Sequence, residues 1–145
     1  MTDKLLSCAA ALLHRGDYTC IVCDRDRVLT SKSSGISPLL CRIEEHEDLR
    51  GTVCADKIIG RAAAMLLILG GVQAVHGDVM SVGAKAMLEQ AGIRVSYGEL
   101  TECIINRRGD GPCPMEQAVA DTTDPAEAPA LLRAALCRLK ENAAR

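Results

Sequence analysis

The sequence predicts a three-layer α/β/α sandwich in which an antiparallel β-hairpin opens a mixed, mostly parallel sheet. Three observations carry that expectation. Strand-like and helix-like periods alternate across residues 51–97, and parallel strands need such helical crossovers. Two short apolar runs separated by the turn Asp24-Arg25-Asp26 precede that alternation. The 145 residues are 48% hydrophobic, 25% charged and only 1% aromatic, so a single domain (1–145) must build its core from Leu, Ile, Val, Ala and Met.

In chain order, residues 4–15 repeat Leu5-Leu6, Ala9-Ala10 and Leu12-Leu13 at helical spacing and stop before Gly16-Asp17. Residues 18–23 and 27–31 read as the hairpin strands. Ser37 and Pro38 suit a helix start, with Leu39, Leu40 and Ile43 on one side. Residues 51–55 form a short strand, and Asp56 then caps a helix beginning at Lys57. Ile58, Ile59, Ala62, Ala63, Leu66 and Leu67 cover most of that helix, which is expected to be buried. Residues 72–79 and 93–97 are the next strands, flanking a helix that Ser81 caps and Ala91-Gly92 ends. Residues 103–105 are a candidate last strand. Residues 126–142 supply a C-terminal amphipathic helix with Leu131, Leu132, Ala135 and Leu139 on its apolar side.

Composition narrows the function. Tyr18 and Tyr97 are the sole aromatics and the net charge is −2, so neither ring stacking nor a broad positive field serves an extended nucleic acid. The longest apolar run falls far short of a bilayer span, and no membrane partner is expected. The first residues lack a signal-peptide pattern, which makes a cytoplasmic location with reduced thiols the expectation for the eight cysteines. Cys20-Ile21-Val22-Cys23 lies in a strand, where residues three apart point to opposite faces; that disfavours a metal or redox pair. No cofactor and no metal are expected. Hydrophobic helices around a small sheet make a homodimer a further expectation.

Three groups of residues offer chemistry. Cys54, Asp56 and Lys57 fall at a strand end, the rim where open α/β sheets hold ligands. Asp56 suits either proton transfer or capping, and Lys57 in a first helical turn opposes the helix dipole unless an anion or acid accompanies it. His76, late in a core strand, is a structural residue or a ligand contact, whereas His14 and His46 read as surface residues. The third group is Asn106-Arg107-Arg108-Gly109-Asp110-Gly111-Pro112-Cys113-Pro114-Met115-Glu116. Its arginines are anion donors, its glycines allow close approach, and Glu116 suits a reciprocal cap for a helix entered at Cys113. The alternative is a tight loop pinned by its own prolines and charges. Cys54, Asp56 and Cys113 are therefore the candidate catalytic groups, and Lys57, His76, Ser81, Asn106, Arg107 and Glu116 the candidate ligand contacts.

Cys54-Ala55-Asp56-Lys57-Ile58-Ile59-Gly60-Arg61-Ala62-Ala63-Ala64, Gly92-Ile93-Arg94-Val95-Ser96-Tyr97 and the Asn106 to Glu116 segment resemble the small prokaryotic family called domain of unknown function 1893. The likeness spans about residues 18–124. It implies a cytidine-deaminase-like fold and no settled activity. Nucleoside and nucleobase deaminases hold zinc with a His or Cys two residues before a proton-shuttling Glu at one helix start, and with two Cys at the next. Under the resemblance Cys54 matches the first ligand and Asp56, one methylene short, stands for the Glu. Neither zinc cysteine occurs between Asp78 and Ala84, and one thiolate cannot hold a catalytic zinc. Conventional zinc deaminase activity is not expected. The favoured reading is binding of a small anionic or nucleotide-like molecule in a cleft shared by residues 54–57 and 106–113, with Lys57 and Arg107 on the anion and Asn106 and Ser81 on a base or sugar. A non-catalytic regulatory or interaction domain and a divergent deaminase are the alternatives, so enzyme and binding readings both stay open.

Overall fold

Short apolar segments bury themselves by pairing into a sheet, and the helices between them then cover its faces. The computed structural model describes residues 2–33, 35–106 and 108–144. In chain order the elements are α1 (Thr2–Arg15), β1 (Cys20–Cys23), β2 (Val28–Ser31), α2 (Ser37–Glu44), β3 (Val53–Ile59), α3 (Arg61–Gly70), β4 (Ala74–Ser81), α4 (Val82–Gln90), β5 (Arg94–Thr101) and α5 (Pro114–Ala118). A 3-10 turn (Pro125–Glu127) leads into α6 (Ala128–Ala144). The strands pair in the order β2-β1-β3-β4-β5.

This is a central mixed sheet flanked by helices, but it is not mostly parallel as the sequence suggested. Two pairings are antiparallel and two are parallel. The reason is the hairpin: β1 returns alongside β3 with Cys20 opposite Asp56, so only the strands linked through α3 and α4 run together.

The two faces are covered unequally. On one, Leu6, Ala9 and Leu13 of α1 pack on Ile21, Cys23, Val53, Ala55 and Ala74. On the other, Val22, Cys54 and Val75 join a larger core shared with α2, α3, α4, α5 and α6. Seven residues of the ten-residue α3 are buried, as its nearly continuous apolar surface requires. Cys54 and Ile59 both enter this core, and so do Val75 and Met80. Each pair is an odd number of residues apart, which strict alternation forbids, so β3 and β4 roll over together before their ends. Gly98 accommodates that roll: a Cβ there would lie 2.8 Å from the backbone oxygen of Asp78.

The sequence placed the end of the third strand at Asp56 and a helix from Lys57. In the structure both residues belong to β3, and Asp56 caps no helix. Pairing with β1 holds them extended: Lys57 N–H donates to Thr19 O at 3.2 Å, beyond the Cys20–Asp56 pair. No helix dipole therefore acts on Lys57, whose side chain is exposed on a strand. Helix α3 starts later, after Gly60, whose own side can offer no cap. Its first amides are satisfied from elsewhere. Glu116 Oε1 accepts from Arg61 N at 2.7 Å and Glu116 Oε2 from Ala62 N at 2.8 Å. Gly60 leaves room for that carboxylate, since a Cβ would sit 2.4 Å from its oxygen. Arg61 in turn donates to the carbonyls of Val119, Ala120 and Thr122, clamping the chain after α5.

Two smaller expectations are corrected. Residues 103–105 form no strand; Ile105 makes one isolated bridge to Pro112, because the chain turns back at once. The fourth and fifth strands run on to Ser81 and Thr101, two and four residues beyond the alternation read from the sequence, since parallel pairing continues to Ser81–Thr101.

The remote cap makes a testable claim. Glu116→Ala should lower the unfolding free energy by about 1–3 kcal/mol, the cost of losing a charge-assisted cap at a buried helix start. Gly60→Ala should destabilise through the same contact, so the two substitutions together should cost less than their sum. Urea unfolding of the four proteins checks this; additive effects would detach Gly60 from the cap.

Candidate functional site

The unequal layers leave a hollow. Residues Asp3, Ser7, Ala10 and His14 recur at helical spacing along one side of α1, next to its buried stripe. Opposite them, His76 and Asp78 lie two apart on β4, and Ser96 is the register partner of His76 on β5. Between α1 and these strands is a cavity of about 450 Å³ lined by Asp3, Leu6, Ser7, Ala10, His76, Arg94, Val95 and Ser96. Asp3 and Arg94 form an ion pair across its mouth, which holds the Asp3 carboxyl below the usual carboxylate range.

One wall is a polar cluster. Asp78 Oδ1 lies 2.7 Å from His14 Nε2 and 3.0 Å from His76 Nε2, so one carboxylate oxygen serves two imidazoles. His76 Nδ1 is 2.6 Å from Ser96 Oγ, which fixes the ring by both nitrogens. The two rings meet edge to face at 6.4 Å. His14 is 59% exposed at its side chain, Asp78 29% and His76 13%, so the cluster runs from the surface into the wall. One donor atom from each of the three lies within 4.8 Å of the others, a set able to hold a metal ion. A second, more open groove of about 500 Å³ separates β2 from α2.

The rim expected from the sequence is a different environment. Cys54 is fully buried, and its Sγ lies 3.9 Å from that of Cys20. The hydrogen bond with Cys20 and burial push the Cys54 thiol well above its ordinary range, the surroundings of a packed thiol rather than a nucleophile. Asp56, half-buried beside these thiols, is pushed up to about 6, chiefly by burial. Amide hydrogen bonds, including Ile58 N to Asp56 Oδ1 at 3.1 Å, oppose that shift, and the charge of Asp78 adds to it.

The other sequence candidates are dispersed. Ser81 Oγ accepts from Ala84 N at 3.1 Å and caps α4. Asn106 is occupied within its own loop, donating to Asp110 Oδ1 and accepting from Asp110 N. Arg107 lies outside the described residues. Cys113 is half-buried at the entrance to α5, packed against the larger core. Glu116 caps α3 instead of its own helix, and that bond brings residues 113–116 to the start of α3, beyond the end of β3. The resemblance set Cys54 and Asp56 at a helix start; the structure has them inside β3, and the first turns of α3 (Arg61, Ala62, Ala63) and α4 (Val82, Gly83, Ala84) carry no thiol or imidazole. Of the sequence candidates among the described residues, His76 alone lines the α1–β5 cavity. His14, Asp78, Ser96 and Arg94 were missed. The legible signal was the pairing of a helix stripe at 3, 7, 10 and 14 with His76-x-Asp78 on a strand.

The raised acid at Asp56 gives a pH signature. Its folded pKa of about 6 exceeds the unfolded value near 3.8, so the folded state holds the proton more tightly. Relative to Asp56→Asn, the protein should lose roughly 2–3 kcal/mol of stability as pH rises from about 4 to 6, then level off. Denaturant unfolding across that window checks it, and a constant difference between the two proteins would contradict it.

Comparison with known proteins agrees with this architecture. A family model described as a domain of unknown function (DUF1893) matches residues 8–136. The crystal structure of a DUF1893 family protein from Thermotoga maritima is similar to this chain with a TM-score of 0.81 and 27% sequence identity. That similarity covers 95% of this chain and 92% of the other. No curated protein matches. With most of its length inside the family's boundaries, this chain belongs to the DUF1893 family.

Proposed function

We propose that this protein binds a small anionic or nucleotide-like molecule in the cavity between α1 and β5, on a deaminase-like scaffold without conventional zinc deaminase activity. The cavity itself carries the reading. Its volume of about 450 Å³ suits a small metabolite, and it combines an apolar floor with a few convergent polar groups. Leu6 and Ala10 supply the floor; Ser7, His76, Ser96 and Arg94 supply the polar contacts. Arg94 is the anion donor, and Asp3 is the counter-ion a ligand must displace. The antiparallel hairpin leading into parallel strands supports the deaminase-like scaffold that the sequence resemblance implies. The rim residues around Asp56 and Lys57 then serve the fold, and the ligand site moves to the opposite face. Self-association belongs to the same reading, through the free edge of β5, where Tyr97 and Leu100 are exposed.

Inorganic phosphate, ribose 5-phosphate and cytidine monophosphate are suitable probes in thermal-shift and calorimetric titrations. A phosphate-bearing probe should stabilise the protein, and Arg94→Ala should weaken it by about 1–3 kcal/mol through the lost charge-assisted bond. Asp3→Asn should tighten it by freeing Arg94. Binding that ignores both substitutions would place the ligand elsewhere. Light scattering at micromolar concentration tests the edge: a strictly monomeric species removes the dimer.

A further inference from the structure

We infer that His14, His76 and Asp78 form a binding site for a divalent first-row transition cation of the zinc type. The inference goes beyond ligand binding in the cavity and does not depend on it. Two imidazole nitrogens and one carboxylate oxygen are a borderline-soft donor set that suits zinc and its neighbours better than magnesium or calcium. Three protein donors also leave a coordination position open, as catalytic sites do and structural sites do not.

The geometry needs little change. In a tetrahedral site with bonds of about 2.0–2.1 Å, donors lie roughly 3.3 Å apart. The two Nε2 atoms are now 2.7 and 3.0 Å from Asp78 Oδ1, and all three donors lie within 4.8 Å of one another, so the carboxylate parts from each ring by a few tenths of an ångström and the two rings close about the cation. His14, mostly exposed at the last turn of α1, is free to make that adjustment.

The surroundings orient the donors. Ser96 Oγ sits 2.6 Å from His76 Nδ1, so when a cation displaces the Nε2 proton, the ring can keep its proton on Nδ1 against Ser96 and turn the Nε2 lone pair to the metal beside Asp78. That outer hydrogen bond is the arrangement by which metal-binding imidazoles are held. The donors come from two separate elements, α1 and β4, so a cation would tie the covering helix to the sheet. Because His76 also lines the cavity, the cation would form part of its wall.

Cobalt(II), titrated into the full metal-free chain, tests the assignment without any organic ligand. One equivalent should bind with the intense visible bands of a low-coordinate site, without a thiolate-to-cobalt charge-transfer band, and zinc(II) should displace it. His14→Ala, at an exposed position, should keep the fold and weaken cobalt by about tenfold or more, the minimum expected for loss of a ligand. Asp78→Asn should do the same. A thiolate charge-transfer band at stoichiometric cobalt would hand the metal to the cysteines and overturn the site. Unchanged affinity in both variants, or no saturable binding, would also overturn it. Since phosphate probes are absent from the titration, a failed cobalt result leaves the cavity reading standing, and the reverse holds.

Discussion

One helix has to cover one whole face of a five-stranded sheet, and it is too narrow to do so. Strands spaced about 4.8 Å apart make a sheet roughly 19 Å across, while a helix with its side chains is about 10–12 Å wide. Helix α1 spends its apolar stripe on β1, β3 and the start of β4, where Ile21, Val53, Ala55 and Ala74 are small or branched and seat it closely. Of that stripe only Leu6 borders the gap over β5. Most side chains facing the gap are polar as a result: Arg94 and Ser96 on β5, His76 and Asp78 on β4, Asp3, Ser7 and His14 on the flank of α1. The cavity and its polar wall are thus consequences of the layer mismatch.

The opposite face solves the same problem with more helices and a different kind of joint. There α3 is so apolar that it must be enclosed, and its first amides end up where no local side chain caps them. A carboxylate from α5 supplies the cap, and an arginine from α3 answers by binding the carbonyls after α5. Such a reciprocal clasp fixes residues 113–122 against α3 through charge-assisted bonds, which are stronger than neutral ones. It also explains the character of the rim. Cys54 is enclosed in the core that Met115 and Val119 share, where its hydrogen bond with Cys20 and burial push its thiol up; burial does the same to the Asp56 carboxyl.

Much of the fold was legible because its signals are local. The stripe of α1, the hairpin turn, the all-round apolarity of α3 and the Ser81 cap each sit within a few residues of the element they specify. What escaped is non-local. Asp56 reads as an N-cap until one knows that β1 pairs with it, and Glu116 reads as a cap for its own helix although its partners lie 54 and 55 positions earlier. The candidate site was half legible for the same reason. His76 stood out on its strand, but His14 gained meaning only when packing brought the last turn of α1 over Asp78, 64 residues away.

That placement of α1 is the central claim, and histidine side-chain NMR of the full chain tests it most directly. A carboxylate oxygen can only accept, so in the metal-free protein both rings must present Nε2–H to Asp78 Oδ1. A long-range nitrogen–proton correlation spectrum should show a proton on Nε2 of both His14 and His76. Asp78→Asn should then shift the Nε2 signals of both rings together. A His14 spectrum that ignores Asp78→Asn, with its ring averaging as in free solution, would mean that α1 does not hold it over β4.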